Sequence, residues 1–334
     1  MIISRAPLRM SFAGGGSDLP AYYREFGGAV LSAAINKYVY VNVNQKFDSG
    51  IRVGYSKNEE VATVADIAHP LVRNALEYLK IPGGVEITTI ADIPSSGTGL
   101  GSSSTFTVGL LHALNEYRGQ AIDASALAKG ACHIEIDLCG EPIGKQDQYA
   151  AAFGGMNFIE FGADESVTVA PISVSEKTMQ DLQSHLLVLY TGKTRSASTL
   201  LQEQSIELGR DSQKQQAMHR MVQLARDLKD ELSANRIAAL GEILHEGWML
   251  KKTLVQGISA QEIDLWYDTA RANGALGGKI LGAGAGGFLL LYAPPDRHPA
   301  ILKALPALKP ISVSFDFLGS QIIFNEKIAG NAQP

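Results

Sequence analysis

The chain has 334 residues, 46% of them hydrophobic and 19% charged, with a formal net charge of −5. That length favours two domains over a single hydrophobic core. The acidic balance argues against a nucleic-acid surface or a broad contact with an anionic membrane, so any phosphate site must be local. Cys132 and Cys139, with no other cysteine and no nearby pair of histidines, suit neither zinc nor a disulfide within one helix, and read as thiols of a reducing cytoplasm. The opening M-I-I-S-R-A-P-L-R-M lacks the apolar core of a signal peptide. The apolar run near Ile280 is broken by glycines and prolines, so no membrane span is expected.

In chain order, residues 2–14 read as a strand ending in F-A-G-G-G-S-D-L-P, where Ser17 or Asp18 is placed to cap a helix with Pro20 near its first turn. V-L-S-A-A-I, K-Y-V-Y-V-N-V-N-Q and G-I-R-V-G-Y alternate and are rich in β-branched and aromatic residues, which predicts strands of one antiparallel meander. A short helix is expected over 70–78 and a strand over 85–91.

Residues 93–104 read I-P-S-S-G-T-G-L-G-S-S-S. Gly97, Gly99 and Gly101 free the backbone for positive φ and close approach to a ligand, and Phe106, Leu110, Ala113, Leu114 and Tyr117 follow at helical spacing. Strand, glycine loop and helix in succession aim several N–H groups and the positive end of a helix at one point. That is a phosphate cradle rather than a flexible connection. It is not the P-loop pattern, because Ser102 stands in place of the second glycine, and at Gly192-Lys193-Thr194 it is Leu187 that stands in place of the first. Gly282, Gly284 and Gly287 fit G-x-G-x-x-G but lead into F-L-L-L-Y, a strand, which speaks against a dinucleotide site.

A second helix is expected over 123–140, with Asp123 as N-cap and Glu135 within it. The polar G-K-Q-D-Q between Pro142 and the small apolar run 149–153 reads as a helix start aimed into a cleft, with Asp147 in its first turn. Strands follow at 156–161 and 166–169, and a change of character near Pro171 divides the chain into domains 1–171 and 172–334. Beyond it an apolar strand, 185–190, leads into T-G-K-T-R-S-A-S and sets Lys193 and Arg195 on a strand-to-helix loop. The charge-rich stretch 203–232 reads as a solvated amphipathic helix. A helix over 260–273, a glycine-dense loop between strands and two closing strands suit a ferredoxin-like α+β sandwich.

Pro94 with Gly99-Leu100-Gly101-Ser102-Ser103 resembles the phosphate-binding motif of the GHMP kinases, the superfamily of galactokinase, homoserine kinase, mevalonate kinase and phosphomevalonate kinase. The resemblance runs over essentially the whole chain. It implies an α+β, two-domain GHMP kinase fold, with an N-terminal domain like ribosomal protein S5 domain 2 and a ferredoxin-like C-terminal domain. It also implies that Pro94, Gly97, Gly99, Leu100, Gly101, Ser102, Ser103 and Ser104 hold ATP, that Ser103 and Glu135 bind Mg2+, and that Asp147 is the catalytic base with Arg9 orienting it. Pro7, Arg9, Gly14 and Asp18 fit the family's first motif, so that Gly14, Gly15, Gly16, Ser17 and Asp18 would line the sugar. Galactokinases carry Gly-Glu-His-Thr-Asp there, and the two missing side chains put galactose in doubt. Gly144, Asp147 and Gln148 fit the Gly-x-x-Asp-Gln of the galactokinase branch, and the loop through Gly284 resembles the third motif, which closes over the substrate.

Within the family, F-A-G-G-G-S-D-L-P, G-K-Q-D-Q and Y-T-G-K-T-R-S-A-S look most like the bacterial D-glycero-D-manno-heptose 7-phosphate 1-kinases. That resemblance implies phosphorylation of the anomeric hydroxyl to give the 1,7-bisphosphate, for GDP-heptose and surface-polysaccharide synthesis. Lys145, Lys193 and Arg195 are then candidates for holding the phosphate that the substrate already carries. The expected partners are ATP and a small sugar phosphate in the cytoplasm, with no nucleic acid and no membrane, and a homodimer is left open. Another sugar 1-kinase of the L-fucokinase type, or a non-catalytic sugar or nucleotide sensor on the same fold, is the alternative.

Overall fold

The computed structural model describes residues 1–94, 97–193 and 197–326. Strand β1 (Ile2–Ala13) is almost wholly buried and runs antiparallel to β2 (Gly28–Gln45), with the short helix α1 (Pro20–Phe26) between them. β2 is long enough to serve two neighbours along one side. Strands β3 (Ile51–Gly54) and β4 (Asn58–Val61), helix α2 (Pro70–Tyr78) and strand β5 (Val85–Ala91) follow. Then come α3 (Ser102–Tyr117), α4 (Ala124–Cys132), a π-helical turn at His133–Leu138, α5 (Gln146–Phe153), β6 (Met156–Phe161) and β7 (Val167–Pro171). β5 pairs with the second half of β2 and β6 with the first.

The two strands expected within 30–45 are one strand with a bulge. Pro7 lies opposite Tyr38 and Leu8 opposite Ile35, so Asn36 and Lys37 fall out of register, and Asn36 instead exchanges hydrogen bonds of 2.8 and 2.7 Å with Ser314. The antiparallel meander does not form either. β5 inserts between β2 and β3, and β3 runs parallel to β5. Parallel neighbours need a crossover, which β4 and α2 supply.

The second half of the chain holds α6 (Glu176–His185), β8 (Leu186–Tyr190), α7 (Ala197–Leu208), α8 (Ser212–Ser233), α9 (Leu240–Leu254), α10 (Gln261–Ala272), β9 (Gly277–Ile280), β10 (Phe288–Tyr292), α11 (His298–Ala304), β11 (Lys309–Ile311) and β12 (Gln321–Asn325). β11-β8-β10-β9 form an antiparallel sheet in the fourth-first-third-second order of a ferredoxin-like unit. α6 has no counterpart in the sequence expectation; it buries only Thr178 and Leu182, too little for an apolar stripe. The charge-rich stretch is two helices, because Asp211 starts a new one by accepting from the N–H groups of Gln213 and Lys214. Nor is it merely solvated. α8 buries Met218, Met221, Val222, Ala225 and Leu228 and lies against β1 and β2.

β12 pairs with β1, Ile2 opposite Asn325, so the end of the described chain returns to the first sheet. We propose the domain division near Pro171 as the first of two crossings, with β12 the second. Among the described residues no helix is long and apolar enough to cross a membrane.

Candidate active site

A cleft of about 960 Å³ lies between the two sheets' elements, and the loop that follows β5 forms one wall. Gly101 stands at the N-cap of α3 in the left-handed region, φ 80°, and no side chain caps the helix. The first N–H groups of a 16-residue helix are therefore left for a ligand. Gly97, Gly99, Gly101, Ser102, Ser103 and Ser104 all line the cleft. Leu100 does not: it is fully buried beneath the loop, with its carbonyl accepting from the N–H of Arg9 at 3.1 Å. Pro94 is exposed and outside the lining, so its part is to shape the chain entering the loop.

Glu135 faces this wall from the π-helical turn. The expected single helix over 123–140 starts as read, with Asp123 accepting from the N–H of Ala126 at 2.8 Å, but widens at His133. Such widened turns are often found where a side chain must be re-aimed at a site. Glu135 is fully buried, accepts from Ser103 Oγ at 3.0 Å and from Gln148 Nε2 at 2.5 Å, and burial pushes its carboxyl up to about 7 despite hydrogen bonds from Ser104, Gln148 and Ser103. A buried carboxylate with only neutral donors around it lacks a cation. A hydroxyl and a carboxylate 3.0 Å apart are hard oxygen donors of the kind magnesium takes from a protein, the rest of its shell coming from phosphate and water. The residues fit that ion.

At the centre, Arg9 grips Asp147 with two parallel bonds, Nε to Oδ1 and Nη2 to Oδ2, both 2.7 Å. Arg9 also donates from Nη1 to the Gly99 carbonyl at 2.6 Å, tying strand, loop and carboxylate together. Arg9 is 4% exposed and Asp147 22%, so the pair is clamped from behind and open in front. Beside it Asp18 is buried. It caps no helix, for Leu19 stands at the N-cap of α1, with no side-chain bond there. Instead it accepts from Gly16 N–H at 2.9 Å, from Gln146 N–H at 3.1 Å and from Gln146 Nε2 at 2.9 Å. Burial first, and then the charge of Asp147, raise its carboxyl above the ordinary range. Gly144 is needed there, since a Cβ on it would stand 1.9 Å from Asp18 Oδ2.

Gly15, Gly16 and Asp18 line the cleft, whereas Ser17 and Gly14 turn inward onto Ala29. Ser17 Oγ donates to the Ala29 carbonyl at 3.1 Å and accepts from its N–H at 3.0 Å. Gly284 packs against Ile258, and Gly282 and Ala283 line the cleft in its place. Lys145 and Lys193 do not line it either. Lys145 pairs with Glu165 and sits 4.6 Å from the Tyr23 ring centre; Lys193, 49% exposed, pairs with Glu262 over Trp266. Each already has its carboxylate. Arg195 lies outside the described residues.

The sequence reading missed the lysines that do enter the cleft, Lys251 of α9 and Lys279 of β9, 5% and 6% exposed. It also missed Gln146, Gln204 and an apolar recess of Val39, Tyr55, Leu71 and Phe106. Lys279 carried a signal, a lone charge in G-G-K-I-L-G. Lys251 carried none, since Lys252 beside it points to Asp264 on the surface side.

The model of the GHMP kinases N terminal domain matches residues 64–155 and that of the GHMP kinases C terminal matches 228–310. A D-glycero-alpha-D-manno-heptose 7-phosphate kinase of Campylobacter jejuni is 33% identical over 91% of this chain and 93% of its own. The solved structure of a D-glycero-D-manno-heptose 1-phosphate kinase from Bacteroides thetaiotaomicron superposes with a TM-score of 0.81 at 28% identity, covering 97% of this chain and 99% of that one. A bifunctional fucokinase/GDP-fucose pyrophosphorylase of Arabidopsis thaliana is 27% identical over 86% of this chain, which spans 29% of that longer protein. Fold, cleft and relatives agree: the chain belongs to the GHMP kinases and is a sugar kinase.

Proposed function

We propose that this chain transfers the γ-phosphoryl group of ATP to the anomeric hydroxyl of D-glycero-D-manno-heptose 7-phosphate, giving the 1,7-bisphosphate used for GDP-heptose and surface-polysaccharide synthesis. The observation that carries the reaction is the Arg9–Asp147 clamp set against the open end of α3. The relative from Campylobacter jejuni favours the heptose over other sugars.

Phosphoryl transfer asks a protein for position and for charge neutralisation more than for covalent chemistry. The N–H groups of 97–104 and the N-terminus of α3 would bind the phosphates of ATP. Ser103 and Glu135 would hold Mg2+, which when bound neutralises charge on the phosphates. Asp147 accepts the proton of the attacking hydroxyl, using lone pairs that the Arg9 fork leaves free. A hemiacetal hydroxyl is more acidic than an ordinary alcohol, which makes a carboxylate an adequate base. Asp18, fixed by Gly16 and Gln146, would orient the sugar ring.

The test is ADP release from ATP and Mg2+ over a panel of free and phosphorylated sugars that includes the heptose 7-phosphate and L-fucose. Turnover confined to the heptose 7-phosphate is the expected result. Turnover on L-fucose alone would replace the substrate and keep the kinase.

A further inference from the structure

Lys279 and Lys251 are buried amines that line the cleft. Among the described residues neither has a carboxylate within ion-pair distance; Lys279 Nζ reaches only the Phe12 carbonyl at 3.4 Å, and Lys251 Nζ only the Gly282 carbonyl. Burial first, and then Arg9, push the Lys251 ammonium down to about 8 while Asp18 and Asp147 pull it up; burial, then Lys251 and Arg9, lower Lys279, and Arg9 is itself committed to Asp147. An unpaired buried charge is costly to keep unless a ligand supplies its partner.

Their surroundings tell which ligand. The Phe12 carbonyl belongs to the strand residue after Ser11, whose hydroxyl is buried in the lining without a hydrogen-bond partner among the described residues. Gln204 Nε2 is buried and partnerless among them too, and a Cβ on Gly16 would come within 2.3 Å of it. The hydroxyl and the amide N–H thus stand beside Gly15 and Gly16, Lys279 reaches the residue after Ser11, and Lys251 reaches Gly282, which packs against Gly99 of the loop 97–104. The donors expected for the phosphates of ATP are the backbone N–H groups of the loop 97–104, a set separate from these four side chains. We propose that Lys279 and Lys251, with Ser11 and Gln204, form the seat of a phosphate group carried by the acceptor sugar and not transferred in the reaction. This rests on the sugar-phosphate kinase reading above, and replaces Lys145 and Lys193 in that role.

The seat is tested by calorimetric titration, with Mg2+ and a non-hydrolysable ATP analogue present, of the heptose 7-phosphate, the same heptose without phosphate, and other sugar phosphates. Wild type, Lys279→Met, Lys251→Met and Lys279→Arg are compared. Wild type should prefer phosphorylated over free sugar. Each methionine should weaken the phosphorylated sugar roughly 10- to 100-fold, the range for a lost charged hydrogen bond, and leave the free sugar little changed; the arginine should keep the preference. Methionine removes a buried amine that has no ion-pair partner among the described residues, at similar volume, so thermal midpoints of the free variants should hold or rise. Equal binding of phosphorylated and free sugar by wild type, or equal weakening of both by the variants, would overturn the seat. So would unchanged binding with a fall in kcat alone, which would assign the lysines to the transferred group. A preference for a different phosphorylated sugar that depends on the lysines would leave the seat standing and sink only the heptose.

Discussion

The two ends of the cleft are built in opposite ways. The end proposed for the phosphates comes from consecutive residues, β5, the loop 97–104 and α3, and would donate from backbone N–H groups. The end proposed for the acceptor gathers Arg9 and Ser11 from β1, Asp18, Asp147 from α5, Gln204 from α7, Lys251 from α9 and Lys279 from β9. A site made of backbone demands glycine at fixed spacing and so leaves a local signature. A site made of side chains leaves scattered residues, each with an ordinary explanation of its own.

The contrast is broken most severely at the carboxylate where the two ends meet. Asp147→Asn should lower turnover by roughly 100- to 10,000-fold while a nucleotide titration shows ATP binding kept, because the loop's N–H groups are untouched. Near-normal turnover would remove Asp147 from the base role and leave the centre without a proton acceptor.

The next effect concerns stability and belongs to the phosphate end. Glu135 has its carboxyl pushed up from 4.5 to about 7 by burial. A group raised on folding contributes stability that is complete below its unfolded value and is lost as pH rises through the folded one. The free protein should therefore lose on the order of 3 kcal/mol from this group between about pH 4.5 and 7, and Glu135→Gln should lack that slope. Urea unfolding of both proteins at pH 5 and pH 8 measures it. Parallel profiles would mean that Glu135 meets a cation in the free protein after all.

Legibility in the sequence follows the same divide. Helix α2 and strand β5 were read with the residues they have, because Pro70 and the alternation V-E-I-T-T-I-A are local signals. The order of the strands was not, since the meander and the inserted β5 use the same alternating residues and differ only in which edge of β2 is taken. That the loop, Glu135, Arg9 and Asp147 share one cleft is legible through the motifs of the family resemblance. Lys145 and Lys251 are not separable in the sequence, because a lysine's partner is set by tertiary packing: the Glu165 carboxylate waits for the first, and the Gly282 carbonyl for the second.

Ser103→Ala tests the phosphate end more gently. Ser103 Oγ donates to Glu135 at 3.0 Å and is the hydroxyl of the proposed magnesium pair. Its loss should raise the Mg2+ concentration for half-maximal turnover about 10-fold, with the saturating rate less affected. An unchanged metal requirement would leave Glu135 as the protein's lone oxygen donor in that proposal.

The smallest effect is expected from Lys193→Ala, and its smallness is what gives it value. Lys193 is half exposed, paired with Glu262, and outside the cleft lining. An exposed pair of this kind contributes roughly 0–1 kcal/mol, and its charge is already balanced before any substrate arrives. The KM for the sugar phosphate should thus change by less than about 2-fold, against the much larger weakening expected from Lys279→Met. A rise of 10-fold or more would show that Lys193 leaves Glu262 when the substrate binds. The acceptor's phosphate would then be met by the loop after β8, and the buried lysines would be serving some other anion.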